Sequence, residues 1–120
     1  MDPLHIVETD EFPGVVLNAN NNQFEITGRS LSDHPADFYE SVIEWLKGYA
    51  KTPNSVTDFA FKFDYLNTES AKSVLDILSV LEGISGAKVS WYFKEDDEDM
   101  EEIGEELSEL VTVPFEFKVN

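Results

Sequence analysis

Phe59, Phe61, Phe63 and Tyr65 recur at every second position, the period that sets side chains on one face of a β-strand. After Asn67 the period lengthens. Val74, Ile77, Leu78 and Leu81 fall three or four residues apart, the stripe by which an α-helix buries one side. Between the two lies the polar junction Asn67-Thr68-Glu69-Ser70. It predicts a helix N-terminus, because Asn, Thr and Ser oxygens accept the backbone N–H groups that a first turn leaves free.

The same reading extends along the chain. Val15–Leu17 and Gln23–Thr27 predict a β-hairpin around the polar turn Asn18–Asn22, with Gly28 as its end. Pro35 predicts the first turn of a helix capped by Asp33 or His34, whose buried stripe is Phe38, Val42, Trp45, Leu46 and Tyr49. Gly83 and Gly86 stop the second helix. Lys88–Lys94 alternates Val89, Trp91 and Phe93 as a strand. Met100, Ile103, Leu107 and Leu110 hold helical spacing, and Val113, Phe115, Phe117 and Val119 alternate as a last strand. Trp91, Phe61, Phe115 and Phe117 are expected in the core.

The order ββαβαβαβ predicts one α/β domain over residues 1–120, a length that suits a single core. Lys62, Asp64, Ser90, Glu116 and Lys118 occupy the second face of their strands. Strands buried on both faces lack such alternation, so a mixed sheet with helices mainly on one face is expected. Right-handed crossovers would make the later strands parallel. The loops Arg29–His34, Leu66–Ser70 and Glu95–Asp97 would then share one rim, where open α/β sheets usually carry their site.

Charge narrows the functional classes. The net charge is −17, and ten acids fall within Glu95–Glu109. Such a surface repels nucleic-acid phosphates and anionic membranes and favours protein partners with basic surfaces. The acidic run lacks the ligand register and central glycine of a calcium loop, so it reads as a solvated helix and no metal or cofactor is expected. The chain has no cysteine, and its two histidines, His5 and His34, lie far apart. No nucleophile elbow, phosphate loop or dinucleotide fingerprint is present, so an enzyme is not expected. Neither a signal peptide nor an apolar span of about 20 residues is visible, which predicts a cytoplasmic protein without membrane insertion.

The junction at Asn67–Ser70 has two compatible readings. Its hydroxyls cap the helix, or one of them receives a phosphoryl group, which a helix N-terminus accommodates well. Arg29 follows one parallel strand and Thr68 another, so Arg29 is a candidate contact for such a phosphate; an ordinary surface position is the alternative.

These residues also carry a resemblance. Tyr65, Asn67, Thr68, Ser70 and Lys72 resemble the tyrosine-x-Asn-Thr-x-Ser-x-Lys signature of the SiaC family of bacterial regulatory phosphoproteins. Gly28-Arg29-Ser30, Val89-Ser90-Trp91-Tyr92 and Val113-Pro114-Phe115 agree with it in the same order. Where the family pattern has Pro-Glu after Gly-x-Ser, this chain has Leu31-Ser32-Asp33.

The resemblance implies a STAS-like fold and a non-enzymatic signalling adaptor in a partner switch. It implies that a cognate serine/threonine kinase phosphorylates Thr68 and that a PP2C-type phosphatase reverses this. The bare form would bind and activate a diguanylate cyclase, promoting cyclic di-GMP signalling and biofilm or aggregation behaviour. Asn67, Glu69 and Ser70 would form the cap and switch loop. Arg29, Ser30, Tyr65, Leu66 and Lys72 would be candidate contacts to a partner or to the phosphate. The alternative is a STAS-like anti-sigma-factor antagonist or stressosome-type binding domain with a different protein or small-ligand partner. A third is a small acid-catalysed enzyme using rim carboxylates, against which stands the lack of a nucleophile–base pair.

Overall fold

The computed structural model describes residues 1–120. Six strands form one sheet: β1 (Leu4–Ile6), β2 (Gly14–Asn18), β3 (Gln23–Ser30), β4 (Thr57–Leu66), β5 (Ala87–Phe93) and β6 (Phe115–Val119). Three helices join the later strands: α1 (Ala36–Tyr49), α2 (Thr68–Glu82) and α3 (Glu98–Glu109). The strands lie in chain order across the sheet, antiparallel from β1 to β3 and parallel from β3 to β6. Successive right-handed crossovers that always advance in one direction put every connecting helix on the same face. Hence the mixed, two-layer α/β arrangement that the alternating strands predict.

β1 is additional to the predicted order. Its three residues are too few to show a period, and it exists only as the antiparallel partner of β2. β3 also runs past its predicted end. Gly28 does not stop it but sits within the strand at φ +109°, and a Cβ there would crowd the Glu8 carboxylate.

The helix-side face of the sheet is the core. Phe59, Phe61, Val89 and Trp91 are wholly buried against Val42, Leu46, Val74, Ile77 and Leu78. On α1 the buried position belongs to Tyr39, while Phe38 is half-buried and stacks on Phe12 with ring centroids 4.8 Å apart. The expected cap by Asp33 or His34 is not formed. Pro35 itself occupies the cap position without a side-chain bond, and the Ser32 hydroxyl accepts from the His34 N–H instead.

The far end of the sheet departs from the predicted core. Phe115 is half-buried and Phe117 is 40% exposed. Leu110, expected on the buried stripe of α3, is 67% exposed. Both follow from position: β6 has a neighbour on one side only, and Leu110 is the C-cap of α3, beyond its last full turn.

The helix-free face is a polar ladder. Lys62 pairs with Glu25 at 3.4 Å, Lys88 with Glu116 at 3.5 Å and Lys94 with Asp64 at 3.8 Å. The Ser90 hydroxyl donates to Asp58 at 2.7 Å. Lys62 and Lys118 lie over the Tyr92 ring at 4.9 and 5.7 Å. This polar second face is what Lys62, Ser90, Glu116 and Lys118 predict, with Ser90 itself buried beneath the ion pairs.

Candidate functional site

The C-terminal ends of β3, β4 and β5 meet at one rim because these strands are parallel neighbours. The strand order never reverses, so the rim has no crevice between diverging crossovers. What it has is a locked helix start.

Asn67 is the N-cap of α2 and is bonded at four atoms. Its Oδ1 accepts from the Ser70 N–H at 2.8 Å and its Nδ2 donates to the Ser32 carbonyl at 3.0 Å. Its backbone N–H donates to the Ser30 carbonyl at 3.2 Å, and its own carbonyl accepts from Ala71 at 2.9 Å. The segment Leu31-Ser32-Asp33, which stands where the family pattern has Pro-Glu, is therefore part of the support of the loop.

Beneath the cap runs a chain of buried hydroxyls. The Ser30 hydroxyl donates to Ser70 Oγ at 2.7 Å and shares a 2.7 Å hydrogen bond with the Tyr39 hydroxyl. Ser70 Oγ in turn donates to the Ser30 carbonyl at 3.4 Å. Consistent donation makes Tyr39 the donor to Ser30. Burial pushes the Tyr39 phenol up to about 12, with the hydrogen bond to Ser30 working the other way, so it keeps its proton. Ser30, Tyr39 and Ser70 are all wholly buried.

Thr68 is different. It is the first residue of α2, it is exposed, and its hydroxyl takes no part in these bonds. The loop thus separates its polar side chains by role: Asn67 and Ser70 hold the helix start, and Thr68 is presented to solvent.

A β-bulge shapes the strand that leads in. The β3–β4 register shifts between Gly28 and Arg29, so that Gly28 faces Phe63 and Arg29 faces Tyr65. Asp64 is the extra residue, and one extra residue exchanges the faces of those that follow. Tyr65 therefore leaves the aromatic row and stands 53% exposed, while Leu66 turns inward and is buried. The alternation of four aromatics overstated that row by one.

Arg29 and Ser30 point to opposite faces of β3. Ser30 reaches the cap; Arg29 lies on the helix-free side and pairs with Asp10 at 3.3 Å. The rim brings their loops together, and the Arg29 side chain engages an acid of the N-terminal segment rather than the Thr68 loop. Lys72, one turn into α2, pairs with Glu69 at 3.2 Å, both exposed.

Beside Thr68 opens a groove of about 210 Å³ lined by Leu66, Asn67, Thr68, Ala71, Ile103, Glu106, Leu107 and Leu110. A second depression, about 280 Å³, continues it past Tyr65 along Asp99, Glu102 and Glu106. The floor is apolar and the α3 wall is acidic. Sequence periodicity missed Leu110 and Tyr65 as surface residues because both carry the spacing of core positions. No group of three or more His, Asp or Glu converges to hold a metal ion, and no helix is long and apolar enough to cross a membrane. Asp97, at the third rim loop, caps α3 by accepting from Met100 at 3.0 Å.

The model of the SiaC family of regulatory phosphoproteins matches residues 6–120. An uncharacterised protein of Pseudomonas aeruginosa strain UCBPP-PA14 is 26% identical over 119 residues, covering 96% of this chain and 94% of that protein. SiaC of Pseudomonas aeruginosa has the same fold, with a TM-score of 0.89 at 24% identity over the whole of both chains. A crystal structure of the diguanylate cyclase SiaD in complex with its activator SiaC, from the same organism, contains a chain similar to this one. The TM-score is 0.88 at 25% identity, covering 98% of this chain and 99% of that one.

Proposed function

The chain belongs to the SiaC family of regulatory phosphoproteins, and we propose that it is a non-enzymatic cytoplasmic adaptor switched at Thr68. In this reading a cognate serine/threonine kinase adds a phosphoryl group to Thr68 and a PP2C-type phosphatase removes it. The bare form binds and activates a diguanylate cyclase; in Pseudomonas aeruginosa the diguanylate cyclase SiaD forms a complex with its activator SiaC.

The observation that carries this reading is the contrast between Thr68 and Ser70. Of the two hydroxyls in the loop, Thr68 is exposed at the lip of the groove and Ser70 is wholly buried in a hydrogen-bonded chain. A kinase reaches the first without dismantling the second.

The geometry also supplies a mechanism. Phosphorylation adds about −1.5 to −2 charges. At the first position of α2 the free N–H groups and the helix dipole accept that charge, so the fold tolerates it. Lys72, four residues on, lies on the same helix face and can exchange Glu69 for the phosphate. A partner seated in the groove meets the opposite situation. It would have to bury a dianion beside Leu66 and Ala71, facing Glu106 across the groove, and desolvating such a charge is costly.

The test is intact-mass and site mapping after incubation with the kinase, together with cyclase activation assays. The expected result is one phosphate on Thr68, with Thr68→Ala still activating the cyclase and resisting the kinase. Thr68→Asp is expected to lose about 2 kcal/mol of binding, roughly thirtyfold. Phosphate on Ser70, or full activation by Thr68→Asp, overturns the proposal.

A further inference from the structure

The two edges of the sheet are not alike. β1 is only three residues long, and a very short edge strand offers little to pair with another chain. β6 has five residues with no proline inside, and its Phe117 and Val119 are 40% and 60% exposed. An open strand edge presents a row of unpaired backbone groups, which natural proteins usually blunt or cover. We infer that β6 pairs antiparallel with β6 of a second copy of this chain, across a two-fold axis between the two Phe117 residues. This goes beyond the Thr68 switch and does not rest on it.

The backbone is in the right phase. Pro114 accepts from Val89 and Asn120 donates to Phe93, in a parallel ladder that sets Val89 beside Phe115 and Phe93 beside Val119. Bonds alternate along such a ladder, so the even-numbered residues of β6 face β5. The N–H and C=O groups of Phe115, Phe117 and Val119 therefore point away from the molecule. Antiparallel pairing centred on Phe117 joins Phe117 to its own copy and Phe115 to Val119 in both directions. Every outward group then meets a partner.

The side chains are self-complementary in that same register. The order Phe115-Glu116-Phe117-Lys118-Val119 reads apolar, acid, apolar, base, apolar, so reversing it exchanges only the two charges. Glu116 comes to lie opposite the second copy's Lys118, twice, at the non-hydrogen-bonded positions where side chains approach most closely. The exposed Phe117 and Val119 gain apolar neighbours on the helix face. Shifting the register by one residue sets apolar side chains opposite charges and turns the outward groups out of phase.

Sedimentation equilibrium over micromolar to millimolar protein tests this, in about 0.3 M salt to screen repulsion between chains of net charge −17. The expected result is reversible formation of a species at twice the chain's 13.6 kDa. Lys118→Glu and Glu116→Lys should each weaken association by about tenfold, because each sets like charges opposite one another twice. An equimolar mixture of the two variants should recover the affinity as a heterodimer, since two acids then face two lysines. Circular dichroism melts show whether each variant is folded. A wild-type chain that stays monomeric throughout, single variants that pair as tightly as wild type, or a folded mixture that recovers nothing would each overturn the inference.

Discussion

Ser30 and Ser70 lie 40 positions apart in the chain and share a 2.7 Å hydrogen bond between their buried hydroxyls. This bond couples the end of β3 to the first turn of α2 and fixes the base on which Thr68 is presented. The two serines act as one unit with Tyr39, and that has measurable consequences.

Removing either hydroxyl leaves a buried partner without its bond, which typically costs about 1–3 kcal/mol. Ser30→Ala and Ser70→Ala are each expected to lower stability by that amount in urea denaturation. The double variant is expected to lose less than the sum, because the second substitution removes an atom already orphaned by the first. Strict additivity would show that the bond carries no coupling.

Tyr39 sets a pH limit. Burial holds its phenol at about 12 in the folded protein against 10.0 for the free group. The unfolded chain therefore releases this proton first as pH rises. Stability contributed by Tyr39 is complete below about pH 10 and declines as pH rises toward 12, where the unfolded state binds fewer protons. Tyr39→Phe should flatten that decline in melts recorded across the alkaline range, while losing the bond to Ser30 at neutral pH.

Gly104 inverts a general rule. Gly to Ala inside a helix ordinarily stabilises by about 1 kcal/mol. Here a Cβ on Gly104 would overlap the Trp91 ring, whose Nε1 donates to the Met100 carbonyl at 3.0 Å. Gly104→Ala is expected to destabilise by about 1–3 kcal/mol, the usual cost of overpacking, with a blue or red shift of Trp91 fluorescence as the local readout.

The sheet should divide energetically along its width. Phe61 and Trp91 are wholly buried, so Phe61→Ala and Trp91→Ala should each cost about 3–5 kcal/mol. Phe117 has the same periodicity but is 40% exposed. At protein concentrations too low for association, Phe117→Ala should cost less than about 1.5 kcal/mol by thermal melting, roughly half of a full side-chain burial.

Leu110 separates binding from folding. It is 67% exposed at the end of α3 and lines the groove beside Thr68. Leu110→Ala should change the melting midpoint little, within about 0.5 kcal/mol. If the groove receives the cyclase, the same variant should bind it several-fold more weakly in titration calorimetry.

Residue order alone determines much of this protein. The period of two in β4 and β5, the period of three to four in α2, and the Asn67–Ser70 junction are local properties of consecutive residues. They specify which face each element buries, and polar second faces on the strands require helices on one side. The signature around Tyr65–Lys72 was legible for the same reason: it is contiguous.

Other features depend on neighbours in space that no period encodes. β1 is a strand because β2 offers it hydrogen bonds. Phe117 is exposed because β6 has no strand beyond it, a fact of strand order rather than composition. Tyr65 and Leu66 exchange faces because one extra residue, Asp64, is accommodated where β4 pairs with Gly28 and Arg29. The chain of Tyr39, Ser30 and Ser70 joins three elements distant in sequence, and Arg29 is directed to Asp10 by the face on which β3 sets it. Local sequence fixes a side chain's direction relative to its own backbone; which atoms wait in that direction is settled only when the sheet assembles.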